Sequence, residues 1–218
     1  MRRVEFAYLH GFASGPRTEK GRSLGAALSA RGGRFEIPDL NRPSVDEITY
    51  TGMLEAFDDF VATRPSDVTW GLIGSSMGGL IATRWTELNP DRVGRLALLA
   101  PGFDLPSHWQ QQLGAEGVRD WREQGFLELP ESEGPLRRVH WGLMEDASVY
   151  APFPPVTCPT LILHGDRDDT VPIDSSRLYA ASHSNVRLVE LDDDHRLLAT
   201  LEDIEARILE FFAPLLDT

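Results

Sequence analysis

Residues 74–78 read Gly-Ser-Ser-Met-Gly and fit the pattern G-x-S-x-G, with Ser76 at its centre. An apolar run, Val68–Ser75, precedes the pattern, and a segment with helical spacing, Met77–Leu88, follows it. A chain that turns sharply from a strand into a helix projects such a serine above the sheet edge. Side chains at positions 74 and 78 would collide with neighbouring backbone, which explains the glycines. The pattern predicts a nucleophile at Ser76, and the alternative is a structural Gly/Ser turn.

Strand-like runs alternate with helix-period segments along most of the chain. The predicted strands are 4–9, 35–37, Val68–Ser75, Val93–Leu99, 160–164 and Val186–Leu191. Helices are expected at about 18–31, after a capping box at Ser44 and Glu47, and at Met77–Leu88. A final helix is expected to bury one face, formed by Leu197, Leu201, Ile204, Ile208 and Phe211. This alternation predicts an α/β fold with a mostly parallel central sheet flanked by helices.

The stretch 102–155 lacks this alternation of strand-like and helical segments. It holds three of the five tryptophans, at positions 109, 121 and 141, together with many prolines and glycines. We interpret it as a lid or cap, an insertion of short helices over one end of the sheet within a single domain, 1–218. The alternative is a surface loop region whose tryptophans fill a minor core.

The groups that would activate Ser76 lie far from it in sequence. A serine hydroxyl is weakly nucleophilic at neutral pH and needs a base. In sites of this kind the order along the chain is serine, acid, histidine. His195, in the loop after the last strand, suits the base, although a lone loop histidine is ordinarily solvated surface. Four aspartates are candidates for the acid: Asp166, Asp168, Asp169 and, after an earlier strand, Asp104.

Negative charge that develops on a substrate carbonyl needs hydrogen-bond donors. One expected donor of this oxyanion hole is the backbone N–H of Met77, directly after the serine. The other is the backbone N–H of Phe12, in the turn after the first strand. His10 lies in the turn after the first strand, and His164 lies where the strand 160–164 ends. We interpret both histidines as supports for the adjoining turns and not as further bases.

Four segments together resemble the α/β-hydrolase superfamily over nearly the whole chain. They are an oxyanion-loop motif at 8–12, the serine turn at 74–78, the acid-loop motif H-G-x-x-D-x-x-V-P at 164–172, and a histidine loop at 194–196. The resemblance implies the α/β-hydrolase fold and puts the acid on Asp168. The short length and local motifs are similar to the small esterase and thioesterase branch, which includes bacterial short-chain esterases and mitochondrial protein depalmitoylases.

Composition and charge limit the binding partners, the disulfide content and the location that the sequence predicts. The chain has 218 residues and a net charge of −13, which predicts no binding to nucleic acid or to anionic membrane surfaces. Its single cysteine, Cys158, excludes an internal disulfide framework and is interpreted as a buried or loop thiol. No apolar run has the length of a secretory signal or a membrane span, so the expected location is cytoplasmic.

These observations predict a serine hydrolase that cleaves a small-molecule carboxylic ester or thioester, with no cofactor and no metal. Ser76 is the expected nucleophile, His195 the base and Asp168 the acid that orients it. The tryptophans of the insertion favour an apolar acyl or aryl group. The alternative hypothesis is a non-catalytic ligand sensor or partner-binding module that retains the fold. Nothing in the sequence specifies an oligomeric state.

Overall fold

A six-stranded parallel sheet forms the centre of the protein, in a computed structural model that describes residues 3–12, 14–129 and 137–216. The strands within these residues are β1 (Arg3–Leu9), β2 (Arg34–Glu36), β3 (Val68–Ser75), β4 (Val93–Leu99), β5 (Phe126–Leu129), β6 (Arg137–His140), β7 (Thr160–Gly165) and β8 (Val186–Leu191). The central sheet has the order β2-β1-β3-β4-β7-β8, and each neighbouring pair is parallel. The predicted parallel sheet is confirmed.

Helices cover both faces of this sheet. They are α1 (Glu19–Ser29), α2 (Tyr50–Ala62), α3 (Met77–Leu88), α4 (Leu105–Gln124), α5 (Gly142–Ala147), α6 (Asp174–Ser182) and α7 (Leu201–Leu216), with a 3-10 turn at Pro90–Arg92. Leu72 packs with α2 and α3 on one face, whereas its neighbour Ile73 packs with α1 and α7 on the other. Successive strand side chains point to opposite faces, so β3 supplies both cores.

The predicted capping box does not begin a helix. The Ser44 hydroxyl accepts a hydrogen bond from the Glu47 N–H at 3.2 Å, but this contact stays in a local turn. Helix α2 begins after Thr49, whose Oγ1 accepts from the N–H of Gly52 at 2.9 Å. The Thr49 N–H also donates to the carbonyl of Arg42, at 3.4 Å. This longer-range contact fixes the chain before the helix starts, which explains the wrong prediction.

The buried face of the last helix, α7, differs from the predicted face at both ends. Leu197 is buried in the preceding loop, with a φ of 53°, and is not helical. Ile204 and Ile208 are buried as predicted, but the next buried side chain is Phe212. Phe211 is half-buried instead, and the guanidinium carbon of Arg95 lies 5.0 Å from its ring centroid.

The segment 102–155 contains the helices α4 and α5. It also contains an antiparallel pair of strands, β5 and β6, where the sequence predicts only short helices. Part of the segment, residues 130–136, lies outside the described residues. Helix α4 is interrupted at Gly114, whose φ of 65° is not helical. The description as a lid or cap stays a proposal, developed below.

The three tryptophans of this segment pack edge to face. The Trp121 ring centroid lies 5.1 Å from that of Trp109 and 5.4 Å from that of Trp141. Trp121 is buried, and its indole N–H donates to the Val139 carbonyl at 2.8 Å. Trp121 therefore belongs to the large core that also contains Leu72, and Trp109 packs against this core and borders a cavity described below.

The turn from β3 into α3 packs directly against the end of β1. An ideal Cβ at Gly78 would lie 2.2 Å from the carbonyl oxygen of Leu9 and 2.4 Å from that of His10. One at Gly74 would lie 2.5 Å from the Gly78 oxygen. Side chains are not tolerated at such distances, which confirms the predicted steric role of these glycines. Ser76 between them has a φ of 52°, a left-handed conformation that non-glycine residues rarely adopt.

Gly78→Ala is expected to lower the free energy of unfolding by about 2 kcal/mol or more, because the added methyl group meets backbone oxygens that cannot move aside. The matched control is Gly142→Ala at the start of α5, where nothing lies within 4 Å of the new Cβ. That control is expected to be neutral or stabilising by up to about 1 kcal/mol. Urea unfolding followed by circular dichroism measures both, and equal stabilities would contradict the steric explanation.

Candidate active site

Ser76 lies at the carboxyl end of β3, where backbone hydrogen bonds hold its strained conformation. Its N–H donates to the Leu99 carbonyl of β4 at 2.9 Å. Its own carbonyl accepts from the N–H groups of Gly79 and Gly102, at 2.8 and 2.9 Å. These bonds connect the turn to the neighbouring strand and to the loop after it. The side chain stays half-buried and reachable from outside.

His195 connects Ser76 to Asp168. The Nε2 atom of His195 lies 3.1 Å from the Ser76 Oγ, and its Nδ1 atom lies 2.7 Å from an Oδ atom of Asp168. An ionised carboxylate only accepts hydrogen bonds, so Nδ1 carries the proton and Nε2 is free to accept from the serine hydroxyl. The structure thus brings together the three side chains that were predicted from distant parts of the sequence.

The carboxylate of Asp168 is the one that reaches this imidazole. Asp166 and Asp169 are exposed, and Asp104 begins α4 instead. The Asp168 side chain is fully buried, and one of its oxygens accepts from the N–H groups of Thr170 and Val171 at 2.9 and 2.8 Å. These two amides hold the carboxylate of Asp168 in the interior, whereas the carboxylates of Asp166 and Asp169 face solvent.

Hydrogen bonds decide the charge state of Asp168. Burial by itself raises the pKa of this carboxyl, because it disfavours the charged form. Hydrogen bonds from His164 and His195, together with the N–H of Val171, outweigh burial and hold the pKa well below its ordinary range. Asp168 is therefore ionised throughout the pH range in which a histidine base functions.

His164 makes a contact that the sequence interpretation missed. Its Nε2 atom lies 3.0 Å from the carboxylate of Asp168 and 3.0 Å from the carbonyl of Val171. Both partners are acceptors, so Nε2 carries the proton, and Nδ1 accepts from the Ser176 hydroxyl at 2.8 Å. His164 supports the turn as expected, but it also holds the carboxylate of Asp168 in place. The sequence signal for this contact is the position of His164, four residues before Asp168 and at the end of a buried strand.

His10 supports the loop after β1, in agreement with the sequence interpretation. Its Nδ1 lies 3.0 Å from the carbonyl of Gly11, and its Nε2 accepts from the Leu40 N–H at 3.0 Å. The side chain has no exposed surface, and burial lowers its pKa. The neutral ring therefore holds the loop in a fixed conformation.

The expected oxyanion donors lie on the two segments that flank the serine. An ideal Cβ at Gly11 would lie 3.1 Å from the Cβ of Ser76, so the loop that carries Phe12 runs directly beside Ser76. Phe12 and Met77 border the same cavity as Ser76. The positions of both residues are consistent with the predicted roles of their N–H groups, which stay a proposal.

A cavity of about 250 Å³ opens beside Ser76 and His195. Its wall is mainly apolar, and the segment 102–155 contributes Leu105, Trp109, Leu129 and Leu143 together with the polar side chains of His108 and Gln112. Val171, next to the acid loop, also borders it. A group bound here would be surrounded by hydrocarbon and aromatic surface on one side and by the serine–histidine pair on the other.

The other sequence predictions concern the cysteine, a metal site and a membrane span. Cys158 is buried two residues before β7, and burial raises the pKa of its thiol. The described ranges contain no group of three or more His, Cys, Asp and Glu side chains arranged to hold a metal ion. Across the same ranges, no helix has both the length and the apolar character that crossing a membrane requires.

The sequence of the chain matches one family model over most of its length. A family model described as "Uncharacterised protein family (UPF0227)" matches residues 5–213. The chain belongs to this family.

Curated relatives of this UPF0227 chain are named as esterases and thioesterases. Palmitoyl-protein thioesterase ABHD10, mitochondrial, of Homo sapiens is 28 % identical over 151 residues, which cover 61 % of this chain and 49 % of that protein. Pimeloyl-(acyl-carrier protein) methyl ester esterase of Chromobacterium violaceum is 26 % identical over 151 residues, which cover 55 % of this chain and 59 % of that protein. The matched region is thus about half the length of the human relative.

Solved structures establish the fold of this UPF0227 chain. Alpha/beta hydrolase domain-containing protein 10 from mouse has a TM-score of 0.84 at 21 % identity, with 97 % of this chain and 90 % of that chain covered. Est1E from Butyrivibrio proteoclasticus has a TM-score of 0.80 at 22 % identity, with 100 % and 90 % covered. The α/β-hydrolase fold is shown. The resemblance to the superfamily and to its esterase and thioesterase branch is confirmed.

The low pKa of Asp168 predicts a specific dependence of stability on pH. Because the folded pKa lies below the unfolded value of about 3.9, the unfolded chain binds a proton first as the pH falls, and this contribution to stability is lost below about pH 4. Asp168→Asn is therefore expected to be less stable than the wild type at pH 7, by a deficit that shrinks between about pH 4 and pH 2. Thermal or urea unfolding at each pH measures the deficit.

Asp169→Asn is the matched control for this measurement. It removes the same charge from the same loop, but its carboxylate is exposed and contacts neither histidine. A deficit of Asp168→Asn that stays constant across the acidic range would contradict the hydrogen-bonded, ionised carboxylate.

Proposed function

We propose that this protein is a serine hydrolase that cleaves a carboxylic ester or thioester through an acyl-enzyme on Ser76. The observation that carries the proposal is the hydrogen-bonded series from the Ser76 hydroxyl through His195 to Asp168, with distances of 3.1 and 2.7 Å. It lies at the edge of a parallel sheet and beside an apolar cavity, where such enzymes bind their substrates. The names of the curated relatives support the same reaction class.

The geometry supports a two-step acyl transfer. His195 Nε2 takes the hydroxyl proton as the Ser76 oxygen attacks the acyl carbon, and the backbone N–H groups of Phe12 and Met77 stabilise the oxyanion. The imidazolium then gives its proton to the leaving alcohol or thiol as the acyl-enzyme forms. His195 next deprotonates a water molecule, which attacks the same carbon, and the acid is released with the serine hydroxyl restored.

Asp168 has the role of the orienting acid in this proposal. Its carboxylate holds the Nδ1–H tautomer of His195 and stabilises the imidazolium that forms during each step. His164 is a positioning residue, because it acts through its hydrogen bond to Asp168 and touches neither Ser76 nor the cavity. The buried carboxylate is thereby fixed from two sides.

The segment 102–155 is proposed to act as a cap that forms the apolar binding wall. Four apolar side chains of this segment border the cavity beside Ser76, and Trp109 packs against the buried Trp121. An apolar acyl group would bury hydrocarbon surface against this wall, which favours binding by about 25 cal/mol per Å² removed from water. The acyl half of the substrate is therefore proposed to lie in this cavity.

Ser76→Ala is expected to lower kcat/KM for p-nitrophenyl esters by about 10⁴-fold or more, because the acyl-enzyme cannot form. A fluorophosphonate reagent is expected to add one adduct mass to the wild type and none to this variant, as measured by intact-protein mass spectrometry. Ser75→Ala, which changes the adjacent buried serine, is the matched control and keeps the label. Hydrolysis by Ser76→Ala at the wild-type rate would refute the assignment.

Failure of the wild type to react with the fluorophosphonate would favour the alternative, a ligand sensor or partner-binding module. The predicted cytoplasmic location and the predicted lack of a nucleic-acid partner stay predictions, and the human relative is named as mitochondrial.

Trp109→Ala tests the apolar wall. The variant is expected to lose about tenfold or more in kcat/KM for p-nitrophenyl hexanoate but little for p-nitrophenyl acetate, because the longer chain reaches the missing indole. Trp141→Phe, which changes a tryptophan that does not border the cavity, is the control. An equal loss for both esters would assign Trp109 a purely structural role.

A further inference from the structure

Lys20 is the single lysine of the chain, against 20 arginines. It lies in the first turn of α1 and borders a second cleft, of about 450 Å³, here called the Lys20 cleft. The cleft is also lined by Ser14, Thr18 and Arg196, and it shares Ser76, His195 and Phe12 with the apolar cavity. A scissile carbonyl on Ser76 would therefore lie where an apolar cavity and a polar cleft meet.

The ammonium group of Lys20 has no partner in the described part of the chain. Neither a hydrogen bond nor a carboxylate within 4.0 Å is found there, although the residue is half-buried. Burial lowers its pKa to about 8, in spite of attraction from Asp168, Asp193 and Asp194. Repulsion from Arg196 acts in the same direction as burial. The cation thus lacks a compensating negative charge in direct contact.

The nearby carboxylates are engaged elsewhere. Asp168 binds its two histidines, and a buried oxygen of Asp193 accepts from the N–H and hydroxyl of Thr200, both at 2.8 Å. Asp194 accepts from the backbone N–H of Arg196 at 2.8 Å. Glu19 borders the cleft too, but adjacent positions on a helix do not face each other.

The position of Lys20 in its helix is also electrostatically unfavourable. The N-terminal turn of a helix carries a partial positive charge that repels a cation and attracts an anion. Lysine here opposes the dipole of α1, yet a bound anion would be favoured by the ammonium and the helix start together. The chain as a whole carries −13 and repels anionic ligands. A cation at this position offsets that repulsion locally.

We infer that the Lys20 cleft binds the leaving-group half of the substrate, and that this alcohol or thiol carries an anionic group, a carboxylate or a phosphate, which pairs with Lys20 and Arg196. The inference rests on the proposed hydrolase function and adds the class of leaving group. The leaving atom must lie beside His195 to receive its proton. Arg196, the next residue of that loop, borders this cleft and not the apolar cavity, which assigns the cleft to the leaving group.

The test compares charged and neutral leaving groups on one acyl chain. Hexanoyl thioesters of 3-mercaptopropionate and 3-mercaptopropanamide form one pair, and those of 4′-phosphopantetheine and pantetheine form a second. The wild type is expected to prefer the charged member of at least one pair by about tenfold or more in kcat/KM. Preference within the first pair identifies a carboxylate, and preference within the second pair identifies a phosphate.

Variants of Lys20 connect the preference to this side chain. Lys20→Met is expected to reduce the charged-to-neutral ratio of kcat/KM to near one, mainly through a higher KM for the charged thioester, whereas Lys20→Arg keeps most of the ratio. Arg22→Met, on the exposed side of the same helix, removes one positive charge outside the cleft and is expected to keep the wild-type ratio. Equal ratios in the wild type and Lys20→Met would overturn the inference.

Two further outcomes separate the possible errors. Monomethyl adipate, with its free carboxylate, and methyl adipamate, with an amide in its place, carry the same contrast on the acyl half. A Lys20-dependent preference for charge in this pair, and in neither thioester pair, would overturn the assignment of the cleft to the leaving group. If the wild type hydrolyses every substrate without discrimination, the inference fails and the hydrolase proposal stands. If it hydrolyses none of them and does not react with a fluorophosphonate, the hydrolase proposal fails and the inference falls with it.

Discussion

The start of α3 lies against the carbonyl groups at the end of β1, and this close backbone contact positions the candidate nucleophile relative to the loop beside it. A Cβ at Gly78 would overlap the oxygens of Leu9 and His10, so the contact exists because residue 78 has no side chain. The same approach places Gly11 so near Ser76 that an ideal Cβ at residue 11 would lie 3.1 Å from the Ser76 Cβ. Since β1 and β3 are adjacent parallel strands, their carboxyl ends meet at one sheet edge, where the loop and the serine face one cavity.

The acid side of the site depends on hydrogen bonds within one loop rather than on close packing. One carboxylate oxygen of Asp168 accepts from the N–H groups of Thr170 and Val171, and the other contacts the histidines. His164 adds a donor from the end of β7, so the carboxylate that faces His195 has little freedom to rotate. A fully satisfied buried network of this kind is rigid, and removal of one member leaves other polar groups unpaired. Orientation of His195 is therefore a property of the whole loop.

Local sequence patterns predicted the parts of this structure that depend on neighbouring residues. The bounds of β3, the serine turn and its glycines follow from spacing and steric crowding over a few positions. The choice among Asp166, Asp168 and Asp169 was not available from spacing, because the amides of residues 170 and 171 decide which carboxylate turns inward; the resemblance to a family supplied it. The start of α2 after Thr49 depends on a hydrogen bond to Arg42, outside the helix itself. The β5–β6 pair depends on contacts between two four-residue strands, and strands this short offer too few residues to display a period of two.

Three histidines near the sheet edge illustrate how burial divides structural from reactive imidazoles. His10 and His164 have no exposed surface, and both nitrogens of each ring are engaged by fixed partners of the fold. A proton cannot leave either ring without the loss of a buried hydrogen bond. The side chain of His195 is 21 % exposed, and its Nε2 faces a hydroxyl that is itself half-buried. A base must exchange its proton with substrate and water, and within the described residues this combination of one fixed nitrogen and one accessible nitrogen singles out His195 among the three.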